Sequence, residues 1–255
     1  MKRFAMLTYG VVSYALFFAV FCYAYGWVGN ILVPLSIDSA PAVPLGAALL
    51  VNVALLAIFA IQHSVMARPT FKKWWTTIIP EASERSTYVL ISSVLMIVMF
   101  WLWQPMGGVI WEVQNTVARG VLLGIFTSGW VLILLSSFSI NHFDLFGLRQ
   151  VWLYFQGKPY TQLKFDVPIL YKFVRHPLYV GWLLAFWMTP KMTVAHLVFA
   201  IVTTLYILVA IQLEERNLED ALPGYSDYKK RTPMLIPFTK RGRKTSGEKT
   251  QTKVA

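Results

Sequence analysis

The sequence predicts an all-α fold: a polytopic membrane helical bundle of five to six membrane helices, closing on a C-terminal helical hairpin. Three observations predict it. The chain is 56% hydrophobic and only 14% charged, far below the roughly 25% charged residues of an average soluble domain. Several apolar runs carry about 20 residues without a charge, the length that crosses a hydrocarbon core of roughly 30 Å. The lysines and arginines collect in alternate connections, as basic residues do on the cytoplasmic side of a membrane.

The elements follow in order. The opening MKRF precedes a charge-free stretch running to Asp38. That is too long for the apolar region of a signal peptide, about 7–15 residues, so it reads as a retained first span over 6–33. Further spans are expected over 43–66, 87–103 and 117–140. A fifth apolar stretch, 178–189, is short for a crossing. It is expected to pack against the sixth, 192–213, as a helical hairpin turning at Thr189-Pro190-Lys191. The chain then divides into a four-helix transmembrane region (1–140), a face loop plus hairpin and C-terminal module (141–238), and a polar, disordered basic tail (239–255).

Of the 23 lysines and arginines, all but Arg119 and Lys191 fall on one side of this arrangement. The bias places both termini in the cytoplasm. It also accounts for the net charge of +11 without nucleic acid. The single cysteine, Cys22, leaves no disulfide within the chain and no cysteine-based metal site, and no metal is expected. Trp101, Trp103 and Trp111 suit an outer aromatic belt, Trp74 and Trp75 an inner one.

Polar chemistry concentrates on the inner face. FVRHPLYVGW (173–182) sets Arg175 and His176 directly before Pro177, a residue suited to the first turn of a helix. The free N–H groups and positive dipole end there form a ready anion site. A headgroup anchor is the plainer alternative for Arg175. In IQLEERNLED (211–220), Glu214 and Glu215 stand at the inner end of the last span, where acidic residues mark function or pairing. The hairpin brings them beside Arg175 and His176. Either a staple or a site for a ligand with both charges fits that meeting.

The paired pattern is more specific than either half. Arg175-His176-Pro177-Leu178-Tyr179-Val180-Gly181, followed by Glu-Glu-Arg and LEDALPGYSDYKKRTPMLIPF, resembles the S-adenosylmethionine-binding module of integral-membrane methyltransferases. These form the superfamily of isoprenylcysteine carboxyl methyltransferases and phospholipid N-methyltransferases. Upstream, QHSVMAR, PEASERSTYVL and INHFDLFGLRQVWLYFQG resemble its NnrU-like branch, and within that the bacterial membrane-bound methanethiol S-methyltransferases. The resemblance implies S-adenosylmethionine as cofactor, methanethiol as acceptor, dimethyl sulfide as product and a bacterial inner membrane as location. It implies that Tyr171, Val174, Arg175, His176, Pro177, Tyr179, Gly181, Glu214 and Glu215 hold the cofactor, with Arg175 and His176 toward its carboxylate. Lys172 and Phe173 depart from the family pattern.

A thiol is a poor nucleophile until it loses its proton, so a base or a cationic pocket is expected. His142, at the end of the fourth span, is the first candidate for base, with Asp144 to orient it. Arg149 and Gln150 are expected to line the acceptor site. His63 ends the second span on the same side and is a further substrate-side candidate. Arg85 is expected to pair with Glu84 and hold the third span. Two enzymatic alternatives stay open: another acceptor, such as a prenylcysteine carboxylate, a lipid amine or a larger thiol, and a nicotinamide-dependent membrane reductase. A small transporter or assembly factor is the non-enzymatic alternative.

Overall fold

A computed structural model of the chain describes residues 1–161 and 167–239. Of the tail expected to be disordered, only Thr239 is among them; 240–255 lies outside the described residues. Among the described residues the fold is helical with one small two-stranded sheet, and five helices are long and apolar enough to cross a membrane. The protein is an integral membrane protein.

The spans are α1 (Lys2–Gly29), α2 (Leu45–Met66), α4 (Glu84–Leu102), α5 (Thr116–Ile140) and α10 (Val194–Ala221). Short α3 (Pro69–Trp75) links α2 to α4. On the same side, α6 (His142–Leu145), α7 (Leu148–Gln156) and α8 (Ile169–Phe173) follow α5, and α11 (Tyr225–Arg231) follows α10. Three boundaries have a local cause in their sequence. Asn115 caps α5 by accepting from the Ala118 N–H at 3.0 Å, and Thr193 caps α10 by accepting from the His196 N–H at 3.2 Å. Such caps satisfy donors that a helix start otherwise orphans. Asn30, at φ 56°, ends α1 in the left-handed conformation.

Aromatic packing fills the centre. Trp27 and Phe126 are almost wholly buried, and Trp27 packs edge-on to Phe199 and Trp103. Trp103 is 5% exposed and donates to the Ile37 carbonyl at 3.2 Å. It is therefore a core residue, unlike the exposed Trp101 and Trp74. Asn52, buried in α2, donates to the Gln104 carbonyl at 2.7 Å and accepts from the Gln104 N–H at 2.8 Å. It thereby satisfies backbone that α4 leaves unpaired at its end.

The fifth apolar stretch forms α9 (Pro177–Trp187), with Pro177 at its start. Its eleven residues rise only about 16 Å. It packs against α10 as the expected hairpin, with Phe186 edge-on to Phe199 at 4.9 Å, and takes α5 as a second partner. Trp187 also reaches α10, donating to Thr204 at 2.9 Å, but the closest helix approach is to α5, at Gly129 and Gly181. The turn falls at Thr189-Pro190-Lys191 as expected, where Thr189 Oγ1 donates to the Lys191 carbonyl at 2.7 Å, and it leads into strand pairing. β2 (Lys191–Thr193) runs antiparallel to β1 (Val109–Glu112), pairing Val109 with Thr193 and Glu112 with Lys191. This sheet satisfies polar backbone between α9 and α10.

Candidate active site

The starts of α4 and α9 and the later turns of α2, α5 and α10 surround a cavity of about 380 Å³, which also borders the middle of α1. That size lies within the range of small-molecule sites. Its wall changes character along the helices. At one end it carries Arg85, Tyr171, His176, Tyr179 and Glu214. Next come His63, Tyr88, Ser92 and Ser137. Farther in it is apolar, with Phe21, Ala24, Phe59, Met96, Ile133 and Trp182.

The Arg-His-Pro and Glu-Glu motifs meet as expected, and the meeting divides their labour. Arg175 Nε donates to Glu215 Oε1 at 2.7 Å, and Arg175 Nη1 donates to the carbonyls of Lys229 and Thr232 at 3.0 and 2.5 Å. Lys229 Nζ adds a second cation to Glu215 at 3.1 Å. The Arg175 and Glu215 side chains are only 5% and 3% exposed. The Arg175 and His176 N–H groups donate to the carbonyls of Pro233 and Met234 at 2.8 and 3.2 Å, strapping the segment after α11 across the start of α9. Arg175 and Glu215 therefore form the staple, and His176 Nε2 joins it 3.0 Å from Glu215 Oε1. The donors before α9 bind the protein's own carbonyls rather than facing a ligand anion.

Glu214 faces the other way. Its side chain is 46% exposed and lines the cavity. The Tyr179 hydroxyl donates to it at 3.1 Å, and His176 Nδ1 lies 3.9 Å from it. Burial pushes the Tyr171 phenol up, and the Glu214 carboxylate adds to this, so Tyr171 stays a neutral hydroxyl. Of the nine residues implied for the cofactor, Tyr171, His176, Tyr179 and Glu214 reach the cavity. Val174, Arg175, Pro177, Gly181 and Glu215 shape the scaffold behind it.

The acceptor side differs more from expectation. His63 lines the cavity, bonded through Nε2 to the Tyr88 hydroxyl at 2.8 Å, with Nδ1 3.4 Å from Ser92 Oγ, and stacked on Phe59. His142 does not. It is 2% exposed and stacked on Phe138, with Nε2 2.8 Å from the Tyr14 hydroxyl and Nδ1 2.8 Å from Ser137 Oγ. Ser137 donates to the Leu134 carbonyl at 2.7 Å. Its single proton is thereby committed, so His142 Nδ1–H donates to Ser137 and Nε2 accepts from Tyr14. Both ring nitrogens are used, and burial holds His142 below its ordinary value.

Asp144 does not orient His142. It accepts from Arg149 at 2.9 Å and from Tyr160 at 3.3 Å. Arg149 also donates to the Thr161 carbonyl and hydroxyl, each at 2.8 Å. Gln150 donates to the Asp144 carbonyl at 3.1 Å. These three residues fold the segment after α5 on itself and stand outside the cavity. Arg85 was missed. Glu84 lies 3.8 Å from Lys72, and Arg85 lines the cavity over the Tyr88 ring. The signal was in the spacing: Arg85, Tyr88 and Ser92 share one helical face.

A chamber with charged and aromatic groups at one end and apolar walls at the other, enclosed by membrane-length helices, defines a membrane-embedded enzyme acting on small molecules. The chain is 57% identical over 240 residues to the methanethiol S-methyltransferase of Crocosphaera subtropica, covering 93% of this chain and 94% of that one. It is 50% identical over 242 residues to that of Mycobacterium tuberculosis, covering 94% and 99%. Nurim of Xenopus laevis is more distant, 29% identical over 175 residues, 66% of this chain and 61% of that one. No family model and no solved structure matches. The chain belongs to the methanethiol S-methyltransferase family and is a methyltransferase.

Proposed function

We propose that the protein transfers a methyl group from S-adenosylmethionine to methanethiol, giving dimethyl sulfide, at the cytoplasmic face of a bacterial inner membrane. The observation that carries this reading is the gradient along the cavity wall, from Glu214, Tyr171 and Tyr179 to Phe21, Met96 and Trp182. The residues fit the donor. Glu214 offers a carboxylate to an ammonium, and the tyrosine rings offer π-faces to a cation. The apolar end suits a methylthio group. The names of the relatives supply the acceptor, and the one-sided distribution of lysine and arginine supplies the orientation, with both termini cytoplasmic.

S-adenosylmethionine, when bound, supplies an electrophilic methyl group on a sulfonium. The chain's own task is alignment and proton removal. Glu214, His176, Tyr171 and Tyr179 hold the donor at the cavity's polar end. At the point where polar gives way to apolar wall, the Tyr88 hydroxyl takes the thiol proton as it passes its own to His63 Nε2, and Ser92 holds the ring through Nδ1. The acceptor sulfur then forms its bond to the methyl carbon as the donor's carbon–sulfur bond breaks. Phe21, Phe59 and Trp182 exclude water from the thiolate, which keeps it nucleophilic. The C-terminal segment 141–238 and the transmembrane region 1–140 thus share one site.

Calorimetric binding of S-adenosylmethionine to the detergent-purified protein, with methanethiol added and dimethyl sulfide read in the headspace, tests the proposal. Saturable binding with dimethyl sulfide release is expected. Binding without release would reopen the acceptor, and no binding by folded protein would remove the donor.

A further inference from the structure

Arg85 is a cation with its hydrogen-bonding capacity unspent. It stands in the first turn of α4 with its guanidinium on the cavity wall. Among the described residues it makes no hydrogen bond and no ion pair; its marked contact is the Tyr88 ring, 5.7 Å from Cζ. The carboxylates around it are taken. Glu84 faces Lys72, Asp144 faces Arg149, and Glu215 faces Arg175 and Lys229. Glu214 lines the same cavity without pairing with Arg85. A guanidinium has five N–H donors in a planar fork, and leaving them without an anion beside an apolar wall is costly.

We propose that Arg85 binds the carboxylate of the methyl donor while Glu214 takes its ammonium, so that the two walls clamp the amino-acid end of the ligand. This rests on S-adenosylmethionine being the donor. The guanidinium fork matches a carboxylate in bidentate fashion, whereas a thiolate offers one sulfur. Position argues the same way. Arg85 stands in the first turn of α4 and Glu214 just past the apolar part of α10, and the apolar floor at Met96 lies eleven residues farther along α4, roughly 16 Å. The methyl acceptor belongs at that floor, away from Arg85. Arg175, the cation that the Arg-His-Pro motif offers for this duty, is spent on Glu215.

The test compares S-adenosylmethionine with its decarboxylated analogue, by calorimetry on the detergent-purified full chain. R85M is expected to weaken S-adenosylmethionine binding about tenfold to a hundredfold, the worth of a charge-assisted hydrogen-bonded pair. The analogue, which lacks the carboxylate, is expected to bind wild type and R85M equally. R85K restores part of the loss because it returns charge without the fork. Thermal unfolding of each variant controls for folding, and R85Q replaces R85M if the latter unfolds. Unchanged donor affinity with a raised KM for methanethiol would overturn the assignment in favour of the thiolate. Equal loss for both ligands in a folded variant would overturn it as well. A wild type that binds neither ligand would sink the donor itself, and the Arg85 assignment with it.

Discussion

Glu214 and Glu215 are consecutive in α10 and serve opposite ends: Glu215 is buried against Arg175 at 2.7 Å, and Glu214 opens onto the cavity with Tyr179 at 3.1 Å. One residue of helix turns a side chain by about 100°, enough to separate a staple from a ligand contact. Removing one partner of a buried pair leaves the other charge uncompensated, at a cost of about 3–5 kcal/mol. Glu215→Ala is therefore expected to lower thermal stability in detergent sharply. Glu214→Ala is expected to unfold at the wild-type temperature and to lose about tenfold or more in S-adenosylmethionine affinity, since a hydrogen bond to a charged group is worth roughly 1.5–3 kcal/mol. Parallel melting curves and titrations check both, and equal behaviour of the two variants would contradict the division.

Gly129 and Gly181 let α5 and α9 meet backbone to backbone. A Cβ on Gly129 would stand 2.8 Å from the Gly181 carbonyl oxygen, and one on Gly181 would stand 2.7 Å from that of Gly129. Both obstacles are backbone, which cannot rotate away. Small residues allow such approach between membrane helices, and overpacking typically costs about 1–3 kcal/mol. Gly181→Ala is expected to lower the melting temperature and to weaken donor binding by shifting His176 and Tyr179 at the start of the same helix. Gly120→Ala, with nothing within 4 Å of its new Cβ, is the control expected to change neither.

The spans were legible because charge-free runs of membrane length allow few other folds. The meeting of the Arg-His-Pro and Glu-Glu motifs was legible from their pairing. What each member does there was not, since Glu214 and Glu215 read alike until the rotation of α10 is fixed. The contact of α9 with α5 was hidden for a related reason. Gly129 and Gly181 are 52 positions apart in uniformly apolar helices, where no polar stripe marks the packed face. Arg85 was misassigned by adjacency. Neighbouring residues on a helix do not face each other, so Glu84 was a poor partner from the outset. His142 drew attention as a histidine at a span end, but its satisfaction by Tyr14, from a helix 128 residues away in the chain, has no local signature.

Asp38, in the connection after α1, anchors the cavity-distant end of the bundle. It accepts from Asn30 at 2.7 Å, from the Thr193 hydroxyl, and faces His196 Nδ1 at 3.4 Å, while His196 Nε2 meets the Phe186 carbonyl at 2.9 Å. Burial alone would raise the Asp38 carboxyl; the hydrogen bonds and charge of His196, with those of Thr193 and Asn30, outweigh it and hold the group below its ordinary value. A depressed carboxyl contributes stability that is full above its unfolded value, about 3.9, and is lost as pH falls through the folded value. Melting temperature is therefore expected to drop as pH falls below about 4. Asp38→Asn is expected to be less stable at pH 7 and to lose that acid-side step. An unaltered acid profile in Asp38→Asn would remove the carboxylate from this role.

His63 and His142 separate catalysis from support. His63→Ala is expected to keep S-adenosylmethionine affinity within about twofold and to lower kcat about 10²–10⁴-fold, the usual contribution of a general base. The rate that remains should rise with pH as free thiolate takes over from the missing base. His142→Ala empties a buried site and strands the Tyr14 hydroxyl and Ser137, at a cost of about 1–3 kcal/mol for each group left unsatisfied. Its melting temperature is expected to fall. Because burial holds His142 low, its contribution to stability is full above about pH 6.5 and fades as pH falls through its folded value. The acid-side loss of stability near that range should therefore be shallower in His142→Ala than in wild type. Steady-state rates and melting curves from pH 5 to 9 on both variants distinguish the roles. A pH–rate profile altered by His142→Ala and left alone by His63→Ala would return the base to His142, acting through the Ser137 hydroxyl at the cavity wall.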